Sequence, residues 1–281
     1  MLAAMLGVLA ACGTPSTPVE GPPVTSAPAL DCPFPESGFD CDFQRRFAAA
    51  QAYVDARPGS TALVVRDRDG DVVWRNEHAG DMVWTASTIK LAMAADLLVR
   101  DRAGEIALSA ADRAAMDAML FDSDDKAATE LWMRYSGPDH TAFNDHFPGL
   151  GLVSLRPQPG YGRVYPYWGF QKTTADDLDR LLQHVLGSLD PRDRAYLVDR
   201  MRAVAPAQQW GLWGAGPSAE PGNKNGWADE DGGWVMHSIG FVGPDERFTA
   251  VILNDLRGEG GYAEGKETTT EAARLLFSGR F

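Results

Sequence analysis

Apolar residues near the start of the folded region recur at helical spacing, and those that follow have a β-strand pattern. The first set predicts an amphipathic helix over 42–57. Its members are Phe43, Phe47, Ala50 and Val54. Two β-rich runs follow at 61–66 and 71–75, and Asp69-Gly70 between them is a strong hairpin signal. The chain is therefore predicted to begin with a helix and a pair of antiparallel strands.

The middle of the chain is predicted to be helical, and the end returns to strands. The predicted helices are 87–102, 109–120, 124–135, 139–147, 174–186, one that starts at 190, and 264–278. Late β-rich runs cover 223–227, 233–242 and 247–254. Because short turns join neighbouring strands, this order predicts an α/β (α+β) fold. An antiparallel sheet is built from both chain ends, with flanking helices and an all-helical lobe inserted between them.

One stretch of thirty residues, 146–175, contains no Asp or Glu, although the chain has 39 of them. A connection of this length is usually functional. Its aromatic residues are Tyr161, Tyr165, Tyr167, Trp168 and Phe170. These side chains either line a substrate groove or form the loop's own aromatic core, and the sequence leaves both interpretations open.

Charge limits the classes of partner. The formal net charge is −13, with 44% hydrophobic and 23% charged residues, as in an ordinary globular protein. Nucleic acids and anionic membrane surfaces are not expected partners, because binding them requires clustered Lys and Arg. Only five lysines accompany 21 arginines, so each lysine is a candidate for a special role. We expect a monomer that needs no cofactor.

The N-terminal segment has features of an exported protein. Residues 1–12 are predicted to be a signal segment, because 1–11 are apolar and 9–12 (Leu-Ala-Ala-Cys) resemble the lipobox of bacterial lipoproteins, with Cys12 lipidated. A nonspecific apolar start is the alternative, since a basic region is missing. Residues 13–41 are predicted to be a tether rich in Pro, Thr and Ser that ends in a disulfide loop. The expected location is the outer face of the membrane, with lipid anchoring, or the medium.

The disulfide is predicted between Cys32 and Cys41, because an export signal implies an oxidising compartment and no metal-ligand pattern surrounds them. A single folded domain is predicted over 42–281.

The candidate chemistry lies at the start of the helix after the hairpin. Ser87 and Lys90 are three residues apart, so on a helix their side chains share a face and the ammonium can meet the hydroxyl. The helix N-terminus favours an alkoxide and lowers the lysine pKa, and a neutral lysine can take a proton from serine. This spacing arises by chance in about one in five such chains, so an ordinary surface helix is the alternative.

Two more motifs follow in order along the chain. After Ser87-Thr88-Ile89-Lys90 come Ser123-Asp124-Asp125 and Lys224-Asn225-Gly226. Over about 42–280 the chain resembles the serine β-lactamase and penicillin-binding-protein superfamily, most closely its class A β-lactamase-like branch, which carries S-x-x-K, S-D-N and K-T-G. Two of the five lysines fall at motif positions, which argues against coincidence.

The resemblance implies a role for each matching residue. Ser87 would be the acylated nucleophile, and Lys90 would be its proton acceptor or a relay. Ser123 would carry a proton towards the leaving nitrogen, helped by Lys224. Lys224 would also attract the carboxylate of a β-lactam or a D-alanyl peptide. The backbone N–H groups of Ser87 and Trp227 would form the oxyanion hole.

The resemblance also implies that four residues bind substrate, namely Asp125, Asn225, Gly226 and Trp227. Gly226 would let the substrate backbone approach the strand edge. Asp125 stands where the family has Asn, so an amide donor becomes a carboxylate that only accepts hydrogen bonds. Near Lys90 that carboxylate would also favour the ammonium form. Asn225 replaces Thr and removes a hydroxyl that contacts the substrate carboxylate.

The segment 146–175 also departs from the family. In class A β-lactamases a Glu on the corresponding loop activates the water that releases the acyl group, whereas this segment has no carboxylate. A general base must lie within hydrogen-bond reach of its water. Efficient β-lactam hydrolysis by the family's usual route is therefore not expected.

The histidines do not have metal-ligand spacing, and we interpret them as surface or structural residues with no metal bound. They are His78, His140, His146, His184 and His237. His237 falls among the final strands near the expected cleft.

Two functions remain in competition. The first is a cell-envelope lipoprotein that forms an acyl-enzyme at Ser87 with a peptidoglycan peptide or a β-lactam and deacylates slowly. The second is a catalytically inactive lipoprotein of the same fold that binds a cell-wall fragment or a protein partner. Asp125, Asn225 and the missing Glu motivate the second.

Overall fold

The computed structural model describes residues 32–230 and 232–281. The predicted signal segment, Cys12 and most of the tether lie outside the described residues. Cys32–Phe281 is one compact unit. The predicted disulfide between Cys32 and Cys41 is confirmed, with 4.9 Å between the two Cα atoms. Within the described ranges, every helix is too short or too polar to cross a bilayer.

The strands of the described residues form two sheets. In chain order they are β1 (Ser60–Asp67), β2 (Val72–Arg75), β3 (Val83–Trp84), β4 (Arg156–Pro157), β5 (Gln171–Thr173), β6 (Gly222–Glu230), β7 (Gly233–Val242) and β8 (Phe248–Asp255). The larger sheet has the order β2-β1-β8-β7-β6, and the smaller has the order β3-β5-β4. All strand pairs are antiparallel.

The pairing of β1 with β8 joins the two ends of the folded chain. It runs from Ser60 opposite Asp255 to Asp67 opposite Phe248. This pairing confirms the prediction of an antiparallel sheet built from both chain ends. Among the described strands, β6 lies at the edge of the sheet and pairs with β7 alone, so its other edge faces the site described below.

The predicted helices are confirmed, with ends shifted by a few residues. They are α1 (Cys41–Asp55), α2 (Ile89–Ala103), α3 (Ala110–Phe121), α4 (Asp125–Tyr135), α5 (Ala142–His146), α6 (Ala175–Gly187), α7 (Pro191–Arg202) and α8 (Tyr262–Phe277). Local capping fixes several starts. Ser109 accepts a hydrogen bond from the backbone of Asp112, whose carboxylate accepts one from the backbone of Ser109.

Alternation along β1 divides the hydrophobic core between the two sheet faces. Leu63 and Val65 belong to a cluster with residues of α1 and α8. Val64, between them, belongs to a larger cluster with α2 and the other helices of the helical lobe. Phe47 of α1 stacks on Trp74 of β2, with ring centroids 4.4 Å apart. The sheet is therefore covered by helices on both faces.

Helix α2 is buried on all sides along its first ten residues, 89–98. A helix that is apolar all round lies inside a protein core, and this explains why the run from Leu91 to Ala95 has no polar face. Lys90 is carried inward by this helix and is 0% exposed. The predicted helix start needs one correction, because Ser87 lies in a 3₁₀ turn, Ala86–Thr88, immediately before α2.

The smaller sheet is absent from the sequence-based prediction. Its strands have two or three residues, which is too short for a periodic pattern to show. Val83 lies opposite Thr173, and Trp84 opposite Lys172. Because β3 directly precedes the Ser87 turn, this pairing attaches the segment 146–175 to the entrance of that turn.

Replacing Phe47 by Ala is expected to lower the free energy of unfolding by about 3–5 kcal/mol, because the ring is fully buried between α1 and the sheet. Chemical denaturation followed by circular dichroism measures the change. Phe121→Ala, at a ring that is 40% exposed, is the matched control and should cost less than about 1 kcal/mol. Equal losses for the two variants would contradict the proposed core.

Candidate active site

Ser87 is held in a tightly bonded turn between β3 and α2. The Thr88 hydroxyl donates to the Thr85 carbonyl at 2.6 Å, and the Thr85 N–H donates to the Gln171 carbonyl at 2.9 Å. Ala86 has a φ of +43°, a conformation that residues with a Cβ rarely adopt. Backbone strain of this kind persists only where the surroundings enforce it, and it concentrates at functional sites. The turn therefore fixes the position of Ser87.

Strand β6 lies directly against this turn. A Cβ placed on Gly226 would come within 2.9 Å of the backbone nitrogens of Ser87 and Thr88. Glycine is therefore required here for close approach of the strand rather than for a turn. Trp227, the next residue, is partly buried and lines the same cleft as Ser87. The structure therefore brings Gly226 and Trp227 beside the Ser87 turn, and their roles toward a substrate stay predictions.

The amine of Lys90 binds the junction between α3 and α4. Its Nζ lies 2.6 Å from the Ser123 carbonyl oxygen, 3.3 Å from Ser123 Oγ and 2.5 Å from Asp125 Oδ1. Ser87 was expected to be its partner, but no hydrogen bond among the described residues joins Lys90 to Ser87. The Ser87 hydroxyl is without a hydrogen-bond partner in the described part of the chain.

Ser123 presents both of its oxygens to Lys90 because of its backbone conformation. Its φ is +63°, in the left-handed region, directly before the start of α4. Asp124 caps that helix by accepting a hydrogen bond from the Ala127 N–H at 2.8 Å. Asp125 begins the helix, and its side chain is 76% exposed although it contacts the buried amine.

Lys224 on β6 approaches Ser123 from the other side. Its Nζ lies 2.9 Å from Ser123 Oγ and 2.8 Å from the backbone oxygen of Asn225. The side chain is 1% exposed. The Ser123 hydroxyl is therefore shared by two buried lysines, Lys90 and Lys224.

Burial controls the protonation of both lysines. It holds the pKa of the Lys90 amine below the ordinary lysine value, although the hydrogen bond and the charge of Asp125 raise that pKa. The expected effect of Asp125 is therefore present but is outweighed. Burial also holds the pKa of Lys224 well below the ordinary value, and the charge of Lys90 lowers it further. Both amines reach the neutral form at lower pH than an exposed lysine does.

The side chain of Asn225 is not directed into this cluster. Its Nδ2 donates to the Gln208 carbonyl at 2.8 Å and to the Trp210 carbonyl at 3.4 Å. Its Oδ1 accepts from Asn223 Nδ2 at 2.7 Å. Because side chains alternate along a strand, Asn225 points away from the face that carries Lys224. Its predicted contact with substrate stays a prediction, and its observed contacts anchor β6 to the preceding loop.

The aromatic part of segment 146–175 covers Lys90. The Trp168 ring lies 4.6 Å from Lys90 Nζ, close enough for a cation–π interaction. Thr129 of α4 fixes the loop, because its Oγ1 is 2.7 Å from the Tyr167 hydroxyl and 3.2 Å from Trp168 Nε1. Sequence reasoning missed Thr129, since a single threonine on a helix gives no signal. Tyr167 and Trp168 are buried, as in an aromatic core of the loop, and they also line the cleft, whereas a role in substrate binding stays a prediction.

His237 is a structural residue. It is fully buried on β7, and its Nε2 donates to the Trp84 carbonyl at 2.8 Å. Burial lowers its pKa to about 4, so the ring is neutral at physiological pH. The hydrogen bond links β7 to β3 beside the Ser87 turn. The described residues also contain no group of three or more His, Cys, Asp or Glu side chains placed to hold a metal ion.

Ser87 lines a cleft of about 210 Å³. Its aromatic walls are Tyr161, Tyr167, Trp168, Phe170 and Trp227. Its carboxylates are Asp125 and Glu230. An unpaired hydroxyl at the wall of an aromatic cleft, backed by two buried amines that share a second hydroxyl, is an arrangement suited to acyl transfer.

Comparison with known proteins identifies relatives of similar sequence. No family model matches the chain. The chain is 31% identical over 256 residues to the protein named "Putative lipoprotein LppW" of Mycobacterium bovis, and equally to the protein of that name in Mycobacterium tuberculosis. In both cases the match covers 86% of this chain and 77% of the relative.

Comparison with solved structures identifies proteins of similar fold. A β-lactamase from Xanthomonas campestris superposes with a TM-score of 0.68, covering 83% of this chain and 97% of that one. A β-lactamase from Streptosporangium roseum has a TM-score of 0.67 with the same coverage. A variant of an ancestral class A β-lactamase of Gram-negative bacteria has a TM-score of 0.66, covering 82% and 96%. All three are 18% identical to this chain, so they establish its fold alone.

Sequence identity over most of both chains establishes common descent with LppW, and the superpositions confirm the predicted architecture. The chain belongs to the family of the mycobacterial proteins named "Putative lipoprotein LppW" and has the fold of the class A β-lactamases.

Proposed function

We propose that the protein is a serine acyl-transfer enzyme of the cell envelope, which forms an acyl-enzyme at Ser87 and releases the acyl group slowly. D-alanyl peptides and β-lactams are the proposed acyl donors. One observation carries the proposal. The Ser87 hydroxyl lines a cleft and has no hydrogen-bond partner among the described residues, and it lies one helical turn from an amine whose pKa is lowered by burial.

Acylation uses the cluster around Ser123. The Ser87 oxygen attacks the carbonyl carbon of the donor, and its proton passes to the neutral amine of Lys90. The leaving nitrogen then takes a proton from the Ser123 hydroxyl, which is replenished from the lysines that contact it at 3.3 and 2.9 Å. The bond from the Ser87 oxygen to the carbonyl carbon forms, the carbon–nitrogen bond breaks, and the proton of Ser87 ends on the leaving amine.

Charge that develops on the carbonyl oxygen requires fixed donors. The backbone N–H groups of Ser87 and Trp227 are the proposed oxyanion hole. The close packing of Gly226 against the turn supports this pair, because it places the strand that carries Trp227 beside the backbone of Ser87. The strained turn at Ala86 holds the Ser87 N–H in place.

Release of the acyl group is the slow step. The segment 146–175 has no carboxylate, and Trp168 of that segment lies over Lys90. Asp125 lines the cleft, but it is paired with Lys90 and is poorly placed to activate water. The segment 146–175 therefore supplies no general base for hydrolysis of the acyl-enzyme, which is why release is proposed to be slow.

An envelope location is supported by the name of the mycobacterial relatives, which are called lipoproteins, and by the lipobox-like residues at Cys12. The lipid anchor at Cys12 is part of the proposal. The protein would then face the periplasm or cell wall, where D-alanyl peptides occur as components of peptidoglycan.

A non-catalytic binding protein is the second candidate. The contact of Lys90 Nζ with Asp125 Oδ1 at 2.5 Å favours it, because a carboxylate stabilises the ammonium form and an ammonium cannot take a proton from Ser87. Such a protein would bind a cell-wall fragment or a protein partner through the same cleft and leave Ser87 unmodified.

The first prediction distinguishes these two functions. Incubation with a reactive β-lactam is expected to add the mass of one intact β-lactam to the protein, because an opened lactam ring stays attached to the serine ester. Intact-mass spectrometry measures the adduct, and its persistence long after formation reports slow release. Ser87→Ala is the control and should remain unlabelled. An unlabelled wild type, or equal labelling of both proteins, would exclude the acyl-enzyme.

Asp125→Asn is expected to shift the pH profile of acylation to lower pH. Burial lowers the pKa of Lys90 and Asp125 raises it, so removing the carboxylate lowers the pKa further and the neutral amine forms at lower pH. The second-order acylation rate measured as a function of pH tests this shift.

Glu130→Gln is the control for Asp125→Asn, because it removes a carboxylate from the same helix, at a side chain that is 55% exposed and lies 3.9 Å from the amine of Lys126. Its profile should match that of the wild type. A midpoint for Asp125→Asn that is unchanged or higher would mean that Lys90 is not the acceptor of the Ser87 proton.

Gly226→Ala is expected to slow acylation by about tenfold to hundredfold, because the added Cβ displaces the Ser87 turn from β6. Gly149→Ala is the matched control, since a Cβ at Gly149 has no neighbour within 4 Å. Acylation kinetics and thermal unfolding of both variants separate loss of the site from loss of the fold. Wild-type acylation by a folded Gly226→Ala variant would contradict the proposed oxyanion hole.

A further inference from the structure

The accessible surface around Ser87 is acidic. Among the described residues that line the cleft are the carboxylates Asp125 and Glu230, and none is a lysine, arginine or histidine. The two motif lysines lie behind this surface, because Lys90 is 0% exposed and Lys224 is 1% exposed. Lys224 was expected to attract a substrate carboxylate. Because Lys224 is buried, its amine is not exposed at the cleft wall, where a substrate carboxylate could contact it.

The same surface is aromatic. The rings of Tyr161 and Tyr167 stack with centroids 3.9 Å apart, and Trp168 lies 5.5 Å from Tyr167. Tyr161 is 45% exposed, so a ligand can reach its ring. Aromatic faces carry negative electrostatic potential and attract cations, most strongly where neighbouring carboxylates add to the field.

The position of Ser87 indicates where the reactive carbonyl group of a ligand lies in this cleft. Ser87 is 9% exposed and lines the cleft, and its hydroxyl has no hydrogen-bond partner among the described residues. A buried hydroxyl that is left unpaired costs free energy, which a bound carbonyl group recovers. The acidic and aromatic surface next to Ser87 is therefore where the remainder of an acyl donor lies.

We propose that Ser87 prefers acyl donors that carry a positively charged ammonium group, which binds the acidic and aromatic surface of the cleft. Asp125 and Glu230 supply the charge, and the exposed ring of Tyr161, stacked on Tyr167, supplies the aromatic face. A donor with an anionic group in the same place is repelled by the two carboxylates. The expected difference in acylation rate rests on the proposed acyl transfer, whereas the expected preference in binding affinity does not.

The carboxylate of Asp125, which stands where the family has Asn, has a role in this preference. A carboxylate there opposes the neutral form of Lys90, which is a cost for acylation. Its side chain is 76% exposed at the cleft, so it is available to a cationic ligand as well as to Lys90. An ammonium group bound beside Asp125 competes for that carboxylate and favours the neutral amine, so a cationic donor assists its own acylation.

Three penicillins that differ only at one position of the same phenyl side chain test the preference. Ampicillin carries an ammonium group there, benzylpenicillin a hydrogen, and carbenicillin a carboxylate. At about pH 6, where an α-ammonium is largely protonated, ampicillin should acylate Ser87 about threefold to tenfold faster than benzylpenicillin, and carbenicillin more slowly by a similar factor. Equal rates, or the reverse order, would overturn the preference.

Two further experiments, a substitution and a change of salt concentration, test whether the preference depends on the carboxylates of the cleft. Glu230→Gln should reduce the ratio of the ampicillin rate to the benzylpenicillin rate. Glu267→Gln, at an exposed carboxylate on α8, should leave that ratio as in the wild type. For the wild type, about 0.5 M salt should also reduce the ratio, because screening weakens exposed charge pairs. A ratio that responds to neither change would overturn the electrostatic origin.

Binding without chemistry separates this inference from the proposed function. Ser87→Ala should bind phenethylammonium more tightly than phenylacetate, as measured by quenching of tryptophan fluorescence, since Trp168 and Trp227 line the cleft. Preference for the ammonium together with an unlabelled wild type would reject acyl transfer and keep the cation site. Acylation of the wild type without any charge preference in either assay would keep acyl transfer and reject the cation site.

Discussion

The site depends on the burial of one amine. Helix α2 is surrounded by core residues, so Lys90 has no route to solvent along its own helix. A buried ammonium costs several kcal/mol unless it is paired and hydrogen-bonded. Ser123 meets that need by adopting a left-handed conformation that directs its carbonyl and its hydroxyl to Nζ, and Asp125 adds a charge. The geometry of the α3–α4 junction therefore follows from where Lys90 is placed.

The aromatic segment is the second determinant of the chemistry. It pairs with the strand before Ser87 through the smaller sheet, and Thr129 holds Tyr167 and Trp168 against α4. The result is an aromatic cover over Lys90 in a segment that contains no carboxylate. Such a cover excludes water from the amine and supplies no base to activate it.

Much of this arrangement was predictable from the sequence, because it depends on local patterns. Alternation and helical spacing gave the larger sheet and the helices, and the order of three motifs brought Ser87, Lys90, Ser123 and Lys224 together. The partner of Lys90 and the direction of Asn225 were not predictable, since each depends on backbone positions set by distant segments. The net pKa of Lys90 was not predictable either, because it is a balance between burial and Asp125 that spacing alone cannot weigh. The roles of these residues in catalysis stay predictions.

The burst kinetics of a chromogenic cephalosporin test acyl-enzyme formation with slow release most directly. Stopped-flow absorbance should record a rapid release of one equivalent of chromophore per Ser87, followed by a much slower steady rate, and Ser87→Ala should show neither phase. A rapid linear rate without a burst would mean that deacylation is efficient by a route that the cleft does not reveal. A trace as flat as that of Ser87→Ala would contradict acyl transfer at Ser87.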